Sequence, residues 1–143
     1  MYSVYTVPID QHTYVMNGRL AAFVAKHMAK PYFTDKYVEM YSRAVVCQED
    51  GEIIGCALIR HLTSEEGDEE LNIECFCVRE KSRNCGVGTD MLQCAVENTT
   101  PEMPVLWVDK GSRCDDLRRL YQSNGFEVVL DREKDFKMRL RGV

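Results

Sequence analysis

The chain has 143 residues, 45% of them hydrophobic and 29% charged. That balance fits one globular domain and excludes a disordered chain or one built on membrane-spanning helices. A formal net charge of -5 speaks against nucleic acid as the main partner, because neutralising a phosphate backbone takes clustered Lys and Arg. The opening residues, Met1-Tyr2-Ser3-Val4-Tyr5, have neither the basic start nor the apolar stretch of a secretory leader. The default location is therefore cytoplasmic, with the nucleus also open.

Seven cysteines stand at Cys47, Cys56, Cys75, Cys77, Cys85, Cys94 and Cys114, and no two make a C-x-x-C pair. Neither a disulfide framework nor a zinc knuckle is expected, and no metal is assigned. Cys75 and Cys77 alternate along an apparent strand and are expected on one face as small core residues.

Ser3 to Ile9 suits an opening strand. Asn17 is the expected N-cap of a helix whose Leu20, Phe23, Val24 and His27-Met28 share a face, ending before Pro31. Thr34 is placed to cap a short helix with Tyr37, Val38 and Tyr41. The period then turns extended, and Ala44 to Cys47 and Ile53 to Arg60 form a hairpin around Glu49-Asp50-Gly51. The acidic run from Glu65 to Glu70 is expected to be a solvated loop. Leu71 to Val78 is the next strand, followed by a glycine-bearing loop and a helix over Thr89 to Asn98. Pro101 and Pro104 bracket the exit to a buried strand, Val105 to Val108. Asp115 to Ser123 is a further helix closed by Asn124-Gly125. Phe126 to Leu130 and Phe136 to Leu140 complete a strand pair. The order β-α-α-β-β-β-α-β-α-β-β gives an α/β domain with a mixed sheet, helices on its faces, and one domain over residues 1–143.

The loop Arg83-Asn84-Cys85-Gly86-Val87-Gly88-Thr89 joins a strand to a helix. Such a junction presents free N–H groups to a phosphate, glycine lets the backbone come close, and Arg83 and Lys81 add positive charge. A Walker loop is excluded, since Gly88 is followed by Thr89-Asp90. A dinucleotide fingerprint is excluded too, since Met91 stands where a third small residue belongs.

Val78, Arg83, Gly86 and Gly88 reproduce the R/Q-x-x-G-x-G/A spacing after an apolar strand end, and Leu120-Tyr121-Gln122-Ser123-Asn124-Gly125-Phe126 gives L-Y-x-x-x-G-F. On these two motifs and the order of elements, the chain resembles the GCN5-related N-acetyltransferase family along its whole length. It departs at Cys114, where the family often has Asn, and at Asn84-Cys85, where Gly and a basic residue are frequent. Asn tolerates unusual backbone angles, so the loop should persist.

The resemblance implies an acetyl-CoA-dependent N-acetyltransferase acting by direct transfer to a primary amine in a ternary complex. It places the pyrophosphate on Arg83, Asn84, Cys85, Gly86, Val87, Gly88 and Thr89. Pantetheine is expected between the fourth and fifth strands, against main chain at Phe76, Cys77 and Val78. It makes Tyr121 the acid that reprotonates the departing thiolate. Glu74, in an otherwise apolar strand and expected on the face of Asn72 and Phe76, is the candidate base, with Asp109 or a water chain as alternatives. His12, His27 and His61 match no motif position. Cys85 lies where a thiolate is stabilised, yet no His or carboxylate can be assigned beside it, so its expected role is limited to blocking cofactor entry when oxidised.

A second reading is a non-catalytic acyl-CoA-binding regulatory module. The implied acceptor is a small-molecule or peptide amine, held by the first two helices and the last hairpin. Tyr32, Phe33, Tyr37 and Tyr41 there either line a pocket or pack the helices. Proteins resembling this one are often homodimers.

Overall fold

The computed structural model describes residues 1–97, 102–111 and 113–141. Asn98 and Pro101, assigned above to a helix end and a bracket, lie outside them. In order come β1 (Ser3–Pro8), α1 (Tyr14–His27), α2 (Asp35–Val38), β2 (Arg43–Glu49), β3 (Glu52–Thr63) and β4 (Glu69–Val78). After a 3-10 turn at Glu80–Ser82 follow α3 (Val87–Glu97), β5 (Met103–Asp109), α4 (Cys114–Ser123), β6 (Phe126–Asp131) and β7 (Asp135–Leu140). Among the described residues no helix is long and apolar enough to cross a membrane.

The strands form one seven-stranded sheet in the order β1-β2-β3-β4-β5-β7-β6. Every neighbouring pair is antiparallel except β4 and β5. Period-two alternation divides the apolar residues between two layers. Val45, Ile54, Ile59, Leu71, Ile73, Leu106, Phe136 and Met138 meet Met91, Leu92 and Ala95 of α3 and Tyr121 of α4. Ala44, Val46, Cys56 and Leu58 face the other way, against Leu20, Phe23 and Val24 of α1 and Val38 of α2. The β2–β3 turn puts both Asp50 and Gly51 at positive φ, 52° and 81°, as a two-residue hairpin turn requires.

Several expectations need correcting. Asn17 does not cap α1. The helix begins a turn earlier, and the buried Asn17 amide donates to Asp10 O while its Oδ1 accepts from Thr13 Oγ1 at 3.0 Å. Thr34 precedes α2 but makes no side-chain cap bond. α3 begins at Val87, so Gly88 and Thr89 belong to its first turn. The acidic run is not all loop, for Glu69 and Glu70 open β4.

Glu70 is buried and meets Lys137 Nζ at 2.7 Å, with side-chain exposures of 9% and 15%. Removing one partner of such a pair strands a desolvated charge. Lys137→Ala is therefore expected to cost about 3 kcal/mol and to lower the urea midpoint. An unchanged midpoint would mean that water already screens the pair.

Candidate active site

The site grows from β4. Its ladder with β3 runs Ile73 to Ile59 and Glu74 to Leu58, then resumes with Cys77 opposite Cys56. Two residues of β4, Cys75 and Phe76, thus face one residue of β3, and Cys75 takes φ 51°. This is a β-bulge with its first residue in the left-handed region. It shifts the alternation by one, so Phe76 joins Ile73 in the α3–α4 layer while Cys75 and Cys77 pack in the α1–α2 layer. Glu74 therefore shares a face with Asn72 but not with Phe76, correcting the uninterrupted alternation.

On the other edge, the parallel ladder of β4 with β5 covers Glu70 to Ile73 opposite Met103 to Leu106 and stops there. β4 continues to Val78 and β5 to Asp109, so their C-terminal halves part. At the mouth lies a cleft of about 730 Å³ lined by Phe76, Cys77 and Val78 of β4, by Arg83, Asn84, Gly86, Gly88 and Thr89, and by α4.

The loop is shaped to hold an anion in that cleft. Asn84 and Gly86 both take positive φ, 63° and 84°, conformations that Asn and Gly reach most readily. Arg83 Nε donates to Val78 O at 2.9 Å, folding the guanidinium back over the strand end. The first helical bond from this loop is Asp90 N–H to Gly86 O at 3.1 Å, so the N–H groups of Val87, Gly88 and Thr89 precede the intrahelical ladder. The positive end of the α3 dipole adds to them. Tyr2 donates a short hydrogen bond to Asp90, which ties the chain start to this helix and pushes the phenol up to about 12. Cys85 is exposed, with Sγ 3.4 Å from Arg83 O, and Val87 is buried under the helix start.

α4 supplies the opposite wall with Arg113, Asp116, Leu117, Arg119, Leu120 and Ser123. Of these the sequence marked only Leu120 and Ser123, within the L-Y-x-x-x-G-F motif, and none as part of the cleft. Most recur at three- and four-residue steps, which is the stripe that one helix face presents, and that spacing was the available signal. Arg119 pairs with Asp116 within the helix, leaving Arg113 as a second positive group facing the loop.

Tyr121 is 2% exposed and lies beneath this wall rather than in the cleft lining. Its ring meets Phe76 edge-on at 5.5 Å and Phe126 at 6.4 Å. Burial raises its pKa well above the ordinary phenol value. Glu74 is half-buried and clamped: Arg60 Nε lies 2.6 Å from Oε2, Arg60 Nη2 3.2 Å from Oε1, and Tyr41 OH donates to Oε1 at 3.1 Å. Both carboxylate oxygens of Glu74, the candidate base, are therefore engaged by protein partners. Asp109 ends β5 in an exposed position opposite Asp135.

The remaining candidates sit apart from the cleft. His27 packs on Phe23 with ring centroids 4.2 Å apart and planes tilted by 36°, and burial first, then Lys26, Arg83 and Arg79, lower its pKa. Tyr37 stacks on Phe33 at 5.3 Å and meets Tyr32 edge-on at 5.8 Å, so these aromatics pack on one another. Among the described residues no cluster of His, Cys, Asp and Glu is placed to hold a metal.

A split parallel pair beside a phosphate-shaped strand-loop-helix is the architecture expected above, and the sequence comparison agrees with it. A profile of the acetyltransferase (GNAT) domain matches residues 40–128. The chain belongs to the GNAT family. It is an acetyl-CoA-dependent N-acetyltransferase. No curated protein matches the sequence significantly. Solved structures similar in fold include PH1933 from Pyrococcus horikoshii, 16% identical with a TM-score of 0.78 over 100% of this chain and 99% of that one. A chain of the NatC complex bound to Gag peptide and CoA is 14% identical, TM-score 0.70, covering 99% of each. An acyl-CoA N-acyltransferase from Pseudomonas aeruginosa is 16% identical, TM-score 0.67, covering 98% of this chain and 99% of that one. This GNAT chain shares the fold across its length with all three.

Proposed function

We propose that this GNAT enzyme moves the acetyl group of acetyl-CoA directly onto a primary amine, of a peptide or a small molecule, in a ternary complex. The observation that carries this is the end of the β4–β5 ladder at Ile73–Leu106 beside the loop Arg83 to Thr89. The pyrophosphate sits on the N–H groups of Val87, Gly88 and Thr89 with Arg83 and Arg113 around it. Pantetheine then enters the split, where the β5-facing main chain of Phe76, Cys77 and Val78 is open to pair with its amides. A main-chain N–H directed at the thioester oxygen would stabilise the charge that develops there, an effect worth about 3–4 kcal/mol elsewhere.

The amine approaches from the other face of β4, where Arg60, Tyr41 and Glu74 form one hydrogen-bonded group. Glu74 attracts and orients the acceptor there, and the ammonium proton leaves through water, because Arg60 and Tyr41 already occupy both of its oxygens. Support for a peptide acceptor comes from the NatC structure, which holds a peptide together with CoA.

The test is release of CoA thiol from acetyl-CoA across a panel of peptide N-termini, lysine peptides, polyamines and small amines. Amine-dependent release supports the proposal, and release equal to buffer with every amine overturns it. Glu74→Gln leaves the Arg60 charge uncompensated at the acceptor side and is expected to raise the amine KM about tenfold, with a smaller fall in kcat. A fall in kcat beyond about a hundredfold at unchanged KM would instead make Glu74 the base.

A further inference from the structure

Cys56 and Cys77 stand directly opposite each other on β3 and β4, with their sulfurs 3.8 Å apart in the core. The mechanism uses neither thiol. Cys56 is fully buried, whereas Cys77 is 7% exposed and lines the cofactor cleft. We infer that Cys56 and Cys77 are a dithiol that a peroxide entering the empty cleft converts to a cross-strand disulfide, displacing the β4 main chain on which acetyl-CoA rests.

The geometry permits the bond. Facing residues of an antiparallel pair have Cα atoms about 4.5–5.5 Å apart, inside the range that disulfides span. The sulfurs must close from 3.8 Å to about 2.05 Å, a movement that side-chain rotation begins and β4 completes by drawing toward β3. β4 is already irregular here, since the bulge at Cys75 and Phe76 immediately precedes Cys77. Drawing Cys77 and Val78 toward β3 moves the main chain against which pantetheine lies.

The chemistry balances with hydrogen peroxide as the oxidant. The Cys77 thiolate attacks one peroxide oxygen: an S–O bond forms, the O–O bond breaks and hydroxide leaves. The Cys56 sulfur then attacks the sulfenic sulfur, the S–S bond forms, and the hydroxyl departs as water with the Cys56 proton. Two thiols and one peroxide become one disulfide and two waters, two electrons passing from sulfur to oxygen. The hydrogen bond with Cys77 and then burial hold the Cys56 thiol well above its ordinary pKa, and the cleft reaches Cys77 first. That access makes the switch depend on cofactor: acetyl-CoA in the cleft covers Cys77, so binding and bridging exclude each other.

The inference rests on the cleft being the acetyl-CoA site, and the experiment separates the two. The reduced chain is titrated with acetyl-CoA by calorimetry. It is then treated with hydrogen peroxide with and without saturating acetyl-CoA, alkylated, digested and mapped by mass spectrometry. A Cys56–Cys77 bridge is expected, slowed at least about tenfold by acetyl-CoA. The bridged protein should bind acetyl-CoA at least about tenfold more weakly and recover with dithiothreitol. Cys56→Ala should bind acetyl-CoA as the native chain does and stop at a Cys77 sulfenic acid that dimedone traps. If the reduced chain binds acetyl-CoA but Cys56 and Cys77 stay unbridged while Cys85 oxidises, this inference alone is overturned. A bridge that joins other cysteines, or forms equally fast with acetyl-CoA bound, overturns it too. If the reduced chain does not bind acetyl-CoA, the cleft assignment falls and takes the inference with it.

Discussion

Gly88→Glu is expected to weaken acetyl-CoA binding at least about 100-fold, or about 3 kcal/mol, while leaving the protein folded. Gly88 lies in the first turn of α3 and lines the cleft. A Cβ there would come within 3.0 Å of Leu120 Cδ2, the far end of a flexible side chain that can give way. The carboxylate would then occupy the positive end of the helix and offer its own charge to the N–H groups meant for the pyrophosphate. Calorimetry with acetyl-CoA, alongside thermal unfolding of both proteins, separates lost binding from lost structure. Gly86 is the less clean position for this purpose, since its φ of 84° adds about 1–2 kcal/mol of backbone strain to any side chain. Equal affinity in native and Gly88→Glu proteins would move the pyrophosphate elsewhere.

What the sequence made legible is what local chemistry dictates. A change from period two to period 3.6 around Asn84, Gly86 and Gly88 marks a strand feeding a helix, and the backbone angles at Asn84 and Gly86 are those such residues accommodate. What stayed hidden depends on distant partners. Arg60 reaches Glu74 across fourteen positions of chain, and Lys137 reaches Glu70 across sixty-seven. Neither carboxylate betrays its partner locally, so the sequence shows Glu74 only as a candidate base without its clamp, and Glu70 as part of a solvated loop. The bulge escaped for a different reason. Its left-handed residue is Cys75 rather than a glycine, so nothing in the residue type announced that the alternation slips between Glu74 and Cys77. The start of α1 lies a turn before Asn17 because this good capping residue sits within the helix and turns its amide back to Asp10 O in the segment that precedes it.

The bulge and the end of the β4–β5 ladder have a common consequence. A parallel pair that ran in register to Val78 would satisfy its own N–H and C=O groups and leave nothing for a cofactor to pair with. By leaving β5 after Ile73, β4 keeps its ladder to β3 on one edge and offers the other. In the proposed binding mode main chain pairs with the polar groups of pantetheine, and the side chains of Phe76, Cys77 and Val78 are free to serve packing. On that reading the chemistry of transfer falls on few side chains, which makes the candidate acid Tyr121 a sharp test.

Tyr121→Phe should lower kcat about 10²–10⁴-fold with little change in acetyl-CoA affinity, if the phenol returns a proton to the departing thiolate. The substitution keeps the ring that meets Phe76 at 5.5 Å and Phe126 at 6.4 Å, so packing is preserved and only the hydroxyl is lost. No described residue hydrogen-bonds that hydroxyl, so its removal strands no protein partner. The direction of its pKa shift fixes the pH dependence. An acid must be protonated to act, and burial raises this group above the ordinary value of about 10. Its contribution is therefore complete below that value and is lost only as pH rises through the elevated pKa. Turnover of the native enzyme should thus show no alkaline fall assignable to Tyr121 below about pH 10, measured with an amine that is already deprotonated there. A kcat for Tyr121→Phe within a factor of about three of native would make the residue a packing element between two phenylalanines. The proton would then reach the thiolate from water in the cleft, a route that the Gly88→Glu protein, with its groove closed to the cofactor, could not display.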